Sequence, residues 1–260
     1  TPLIQTDEYM DSKCRRTAYE YDDYGNIIKT IYYGDTDISG DEKSVFTDYA
    51  LNPSLWLLTL PSRERVFSNT TGSGVIAAEM QYLYDNNASY TDIPTKGDLT
   101  KVRKYLDTIS GYVEMSSGYD SFGNEISRTD AKGYTTNIEY DPTYHNFPIT
   151  VINPKLHIER SSYYMPADSN GLFGQIKSKT DPNSNQTIFE YDGLGRKTKI
   201  IGPYDLSSTY GSESYEYGIG GPGANYILTR TTEEYGTAGH FAKIDILDGF
   251  ERVVQSAKES

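Results

Sequence analysis

What most constrains this chain is one short string written repeatedly: YDDYGN at 21–26, YDSFGN at 119–124, YDGLGR at 191–196 and a worn LDGFER at 247–252. Each intact copy orders its residues for a tight bend. An aspartate side chain accepts a hydrogen bond from the backbone two residues on, and a glycine three residues later tolerates positive φ. Asp22 with Gly25, Asp120 with Gly123 and Asp192 with Gly195 therefore each fit a type I turn closing a β-hairpin, while the worn copy keeps Asp248 and Gly249 behind Leu247. The approach to the bend repeats as well. TDAKGYTTNIEYD (129–141) and TDPNSNQTIFEYD (180–192) are equally long and agree at Thr, Asp, Thr, Glu, Tyr and Asp, which adds Tyr140 and Asp141 to the repeat positions.

The tyrosine before the bend recurs at Tyr21, Tyr49, Tyr84, Tyr119, Tyr140, Tyr163, Tyr191 and Tyr217. Irregular spacing in the range of roughly 20–50 residues predicts an array of supersecondary units laid side by side. Between bends the residues alternate. Phe189 and Tyr191 fall on one face and Ile188 and Glu190 on the other, and the NIIKTIYY segment after the first bend is rich in β-branched and aromatic residues. No window has helical spacing. The fold class expected is all-β, with stacked antiparallel hairpins forming an extended, curved sheet. Composition agrees: 25 tyrosines stand against 8 phenylalanines and a single tryptophan, so broad rings with hydroxyls that need partners replace much of an aliphatic interior.

The expected organisation is a single repeat segment over residues 1–260, less regular over 1–118 and more regular over 119–260. A start at Thr1 without methionine and an end in AKES read as a piece of a longer protein. Within the less regular part, NPSLWLLTLPSRERVF holds the richest apolar run. Leu55, Trp56, Leu57, Leu58 and Leu60 are too few to span a membrane and are expected to anchor the sheet against a neighbouring layer, with a docking patch as the alternative.

Several function classes are disfavoured. A single cysteine, Cys14, permits no intrachain disulfide. A formal net charge of −13, with arginines scattered, offers no stripe able to neutralise phosphates, so neither nucleic acid nor an anionic membrane is an expected partner. His145, His157 and His240 have no metal-ligand spacing. GIGGPG at 218–223 matches a glycine-rich dinucleotide pattern but contains Pro222 and precedes the strand-like NYILTRTT instead of a helix. Glu190 with Asp192 and Glu139 with Asp141 are carboxylate pairs, yet groups that recur in every repeat belong to the architecture. No catalytic residue, cofactor or metal site is expected. The Asn69, Asn87 and Asn185 sequons are short matches in a chain rich in Ser and Thr.

The YDDYGN, YDSFGN and YDGLGR strings with their EYD lead-ins resemble the tyrosine-aspartate repeats of the RHS/YD-repeat family, and the long irregular spacings, NPSLWLLTLPSRERVF and LDGFER are most similar to the B component of bacterial insecticidal toxin complexes, the Tc toxins. This resemblance implies a secreted wall segment. In such families hairpin strips spiral into a hollow shell around a toxic C-terminal polypeptide, so the implied partners are the remaining YD-repeat shell, the enclosed toxin polypeptide and other toxin-complex subunits. The expected inner surface is polar with scattered aromatics. The alternative is a carbohydrate- or cell-surface-binding adhesion module, since exposed tyrosine rings stack on sugars.

Overall fold

The computed structural model describes residues 4–10, 13–168, 171–206, 208–219, 223–234, 237 and 239–259. The chain clusters into two compact units, residues 1–136 and 137–260. In the first lie β1 (Gln5–Met10), β2 (Lys13–Tyr21), β3 (Ile27–Asp35), β4 (Lys43–Tyr49), β5 (Pro61–Phe67), β6 (Ile76–Tyr84), β7 (Leu99–Leu106), β8 (Gly111–Tyr119) and β9 (Glu125–Thr129), and β10 (Thr135–Tyr140) carries the chain across the boundary. The second holds β11 (Pro148–Ile152), β12 (Ile158–Tyr163), β13 (Ile176–Thr180), β14 (Gln186–Tyr191), β15 (Lys197–Ile201), β16 (Glu213–Gly218), β17 (Asn225–Thr232), β18 (His240–Leu247) and β19 (Val253–Lys258).

Within each unit every strand pairs antiparallel with its neighbour in sequence, from β1 with β2 to β8 with β9 and from β10 with β11 to β18 with β19. The all-β expectation holds. Helix among the described residues is confined to 3-10 turns at Pro53–Leu55, Asp107–Ile109 and Pro166–Asp168.

The register sorts side chains onto two chemically different faces. In the first unit Tyr21, Tyr49, Tyr84 and Tyr119 share a face with Val45, Val66 and Val102. The other face carries a stripe of ion pairs: Glu20–Lys29 at 2.8 Å, Asp48–Arg65 at 3.0 Å, Arg63–Glu79 at 2.8 Å and Arg103–Glu114 at 2.8 Å. It also holds the best-buried core, Ile31, Ser44, Phe67 and Leu83, the last only 1% exposed. Loops supply the cover: Ser44 Oγ donates to Asn69 O at 2.6 Å, and Gly72 lies so close to the Phe46 ring that a Cβ there would collide with it.

The apolar run at 55–60 divides. Leu57 and Leu60 pack beside Gly97, but Leu55 and Trp56 point outward, Trp56 being 83% exposed. The local backbone is the cause. The 3-10 turn Pro53–Leu55 ends with Trp56 at φ 57, its N–H bonded to Pro53 O, and the reversal turns these two side chains away from the layer that holds Leu57.

Candidate functional site

The repeated string builds one bend many times. In the first bend the Asp22 carboxylate accepts the N–H groups of Tyr24 at 2.9 Å and Asn26 at 2.8 Å, while Asn26 Nδ2 reaches its second oxygen at 2.8 Å. The backbone closes the loop twice, Asp22 N–H to Asn26 O at 3.0 Å and Gly25 N–H to Asp22 O at 3.1 Å, with Gly25 at φ 84. A type I turn followed by a left-handed residue forces an extra residue into the returning strand, and the register steps between Glu20 and Tyr21 so that Tyr21 faces Ile27.

The same clamp recurs. Asp120 takes the N–H groups of Phe122 and Asn124 at 2.8 and 2.9 Å, with Gly123 at φ 85. Asp192 takes those of Leu194 and Arg196 at 2.9 and 3.0 Å plus Arg196 Nε at 2.7 Å, with Gly195 at φ 78. In the worn copy Asp248 takes Phe250 and Arg252 N–H at 2.8 and 3.0 Å. There Gly249 is the second residue, and the left-handed position falls to Glu251 at φ 60.

Three further clamps were less visible in sequence. Asp130 and Asp181, read there as part of the approach to the bend, close turns of their own, and Asn153 does the same with Lys155 and His157. The signal was the Asx residue with glycine three positions on at Gly133. At the other two turns Ser184 and Leu156 occupy that left-handed position, hiding the pattern. Asp141 behaves differently. It is buried and caps a longer loop, accepting Tyr144 N–H at 2.7 Å and Asn146 N–H at 3.2 Å, and Tyr140 pairs with Pro148.

Donated hydrogen bonds favour the ionised form of Asp22, Asp181, Asp192 and Asp248. Burial pushes Asp22 and Asp192 up, but the Asn26 and Arg196 side chains with the turn amides outweigh it and leave both below the ordinary value. For Asp181 the Asn185 side chain leads the lowering, and for Asp248 the Arg252 N–H does. Each clamp spends its carboxylate on its own turn.

The tyrosines before the bends perform a second task, one that sequence reasoning missed. Tyr49 Oη donates to Ile27 O at 3.1 Å, Tyr84 Oη to Pro61 O at 2.8 Å and Tyr119 Oη to Leu99 O at 3.1 Å. Ile27, Pro61 and Leu99 are the residues paired with Tyr21, Tyr49 and Tyr84. Each tyrosine thus latches onto the first residue of the strand returning from the previous bend. In the second unit Tyr163 Oη reaches Pro148 O at 3.0 Å and Tyr217 Oη reaches Lys197 O at 2.9 Å, and Lys197 pairs with Tyr191. Burial pushes the latch phenols up, Tyr84 to about 12. Tyr191 packs its ring edge-on against Tyr164.

The ion-pair face of the first unit centres on Glu79. It is 5% exposed and receives Arg63 Nε and Nη2 at 3.0 and 2.8 Å, Tyr112 Oη at 2.7 Å and Gln81 Nε2 at 2.8 Å. Burial raises its carboxyl, but these donors prevail and bring it down to about 2. A carboxylate so lowered at neutral pH is a structural anion, not a proton carrier. Among the described residues no group of three or more His, Cys, Asp or Glu side chains is placed to hold a metal ion. Gly220 to Pro222 of the GIGGPG string lie outside the described residues.

Clamped hairpins joined by tyrosine latches define a class of antiparallel sheet built from copies of one bend. Residues 173–205, which contain β13 to β15 and the Asp192 clamp, match the family model described as RHS Repeat. The chain is similar in fold to the crystal structure of TcdB2-TccC3, with TM-score 0.71, 13% identity, and coverage of 95% of this chain and 18% of that one. It is likewise similar to the crystal structure of TcdB2-TccC3-Cdc42 (0.70, 11%, 95% and 20%) and to the Tc holotoxin pore of Photorhabdus luminescens (0.68, 11%, 95% and 20%). At these identities the likeness is one of fold, and this chain spans a fifth or less of the solved chains. No curated protein matches the sequence. The resemblance to RHS repeats is thus met by the family match at residues 173–205, and that to the Tc toxin component by a likeness of fold.

Proposed function

We propose that this chain is a wall segment of a secreted RHS-repeat shell that encloses a polypeptide within a bacterial toxin complex. The observation that carries the reading is the recurrence of Asx clamps and tyrosine latches across strands whose fold follows that of TcdB2-TccC3 over 95% of the chain. Such a device repeats one joint along the sheet, which suits a wall. The tyrosine face also suits an inert lining. In the first unit Thr30 pairs with Val45, Thr47 faces Glu64 and Met80 faces Lys104, so polar residues interrupt short aliphatic rows such as Val45, Val66 and Ala78. The implied partners are the rest of the shell, the enclosed polypeptide and other toxin-complex subunits. Protease protection is the test. In the complete shell a passenger polypeptide should survive a protease dose that digests it when free, and digestion at the same rate would overturn the reading.

A further inference from the structure

We propose that the tyrosine latches form an alkali-released lock, in which each joint between hairpins holds while its phenol keeps the proton and opens once that proton is lost, Tyr217 before Tyr84. The lock belongs to the joints themselves and stands whether or not the sheet encloses a polypeptide.

Position provides the first argument. The acceptor carbonyls belong to Ile27, Pro61, Leu99, Pro148 and Lys197, and each of these residues pairs with a bend tyrosine directly after a step in the strand register. Such a step leaves one residue unpaired and interrupts the ladder. Pro61 and Pro148 also lack an N–H and cannot donate there. Every latch therefore bridges the sheet where its backbone pairing is weakest.

Proton chemistry provides the second. A carbonyl oxygen accepts, so the phenol must donate, at 2.8 Å for Tyr84 and 3.1 Å for Tyr49 and Tyr119. A phenolate has no proton to give and sets its charge against the lone pairs of the carbonyl. Release thus follows from ionisation alone.

Surroundings set the order. Tyr84 is 6% exposed, and burial together with the neighbouring Tyr82 pushes its phenol up from 10 to about 12. Its latch accordingly contributes in full below pH 10 and is lost as pH rises through 12. Burial raises Tyr217 as well, but the Arg196 guanidinium lies 4.3 Å from its ring centre and favours the phenolate, with Asp192 opposing. Burial also holds the other phenols up, joined by Asp22 and Glu64 at Tyr49, by Glu125 and Asp98 against the Ser117 hydroxyl and Arg128 at Tyr119, and by Tyr140 against the Ser161 hydroxyl at Tyr163.

Two sets of variants of the whole chain test the lock. Fluorotyrosine at position 84 or 217 keeps the phenol and reports its own ionisation through the fluorine resonance. The signal at 217 should move at lower pH than the signal at 84, and the far-ultraviolet strand signal should fall as the latter moves. Tyr84→Phe keeps the ring but has no proton to give. It should lower the urea midpoint at neutral pH, with the gap to the parent closing as pH passes from 10 to 12. Tyr24→Phe, at the exposed tip of the first bend, should leave the midpoint unchanged. Strand signal that survives ionisation at position 84 or vanishes before it, or a gap that persists to pH 12, overturns the lock. Movement at 84 before 217 overturns the order. Where Tyr84→Phe does not fold, the fluorotyrosine titration decides by itself.

Discussion

The two units solve the same problem by different means. In residues 1–136 the repeats are irregular, yet Ile31, Ala50, Phe67, Leu83 and Tyr84 are buried there, against Leu172 and Leu247 among the buried apolar residues of 137–260. The irregular connections are the reason. The 50–60 and 85–98 segments fold back and tie to each other through Asn52 Nδ2 and Pro94 O at 2.7 Å, and the Asp85 carboxylate gathers the amides of Thr95, Lys96, Gly97 and Asp98. Tight bends at Asp181, Asp192 and Asp248 leave no chain to spare for such cover, and the side chains of β19 are exposed throughout. Regular sequence and a well-buried core are therefore separate properties. Bends fold locally, whereas burial here depends on the insertions that blur the repeat.

Core truncation should separate the units most sharply. Leu83→Ala is expected to cost about 2–5 kcal/mol in unfolding free energy, and Leu247→Ala, beside the exposed β19, should fall at or below the bottom of that range. Equal losses by urea denaturation would break the comparison. The Glu79 network comes next. Glu79→Gln leaves the Arg63 guanidinium in a mostly buried site without its anion, at about 3 kcal/mol. Because the folded carboxyl is depressed from 4.5 to about 2, its contribution is complete above pH 4.5 and is lost as pH falls towards 2. Denaturation at stepped pH should show a shallower acid slope in the variant than in the parent, and parallel slopes would remove the argument.

A bend can be compared across units as well. Asp22→Ala should cost about 1 kcal/mol, since the clamp also holds Asn26, whose Nδ2 donates to Leu58 O at 2.7 Å. Asp192→Ala, in a turn whose partner Arg196 returns to the same carboxylate, should cost less and should speed hydrogen exchange only at its own hairpin. The smallest effect has the opposite sign. Glu251→Gly relieves a left-handed conformation and should raise the melting temperature, with a gain of up to about 1 kcal/mol. A fall instead would mean that the unfolded chain's extra freedom outweighs the strain relieved.

The bends were legible because five contiguous residues encode them: an Asx side chain, two amides within its reach and a residue that accepts positive φ. Asp130 and Asp181 were less so, since their turns lack the preceding tyrosine, and Ser184 in a left-handed position resembles an ordinary strand residue. The latches were invisible for another reason. Tyr49 and Ile27 are 22 residues apart and Tyr119 and Leu99 are 20, with no fixed offset, because the acceptor is set by pairing across strands. The same holds for Glu79, whose partners Arg63 and Tyr112 lie 16 and 33 residues away. The apolar run at 55–60 also misled, since its composition was plain but the left-handed Trp56 that sends part of it into solvent was not.

By itself the sequence determined what short-range chemistry can decide, namely where the chain bends, that the segments between bends are strands, and which repeat family the chain resembles. Tertiary structure alone decided which carbonyl each tyrosine holds, which face carries the ion pairs and which apolar residues are covered. Register and burial arise from contacts between residues tens of positions apart, and a local code contains no statement of that distance.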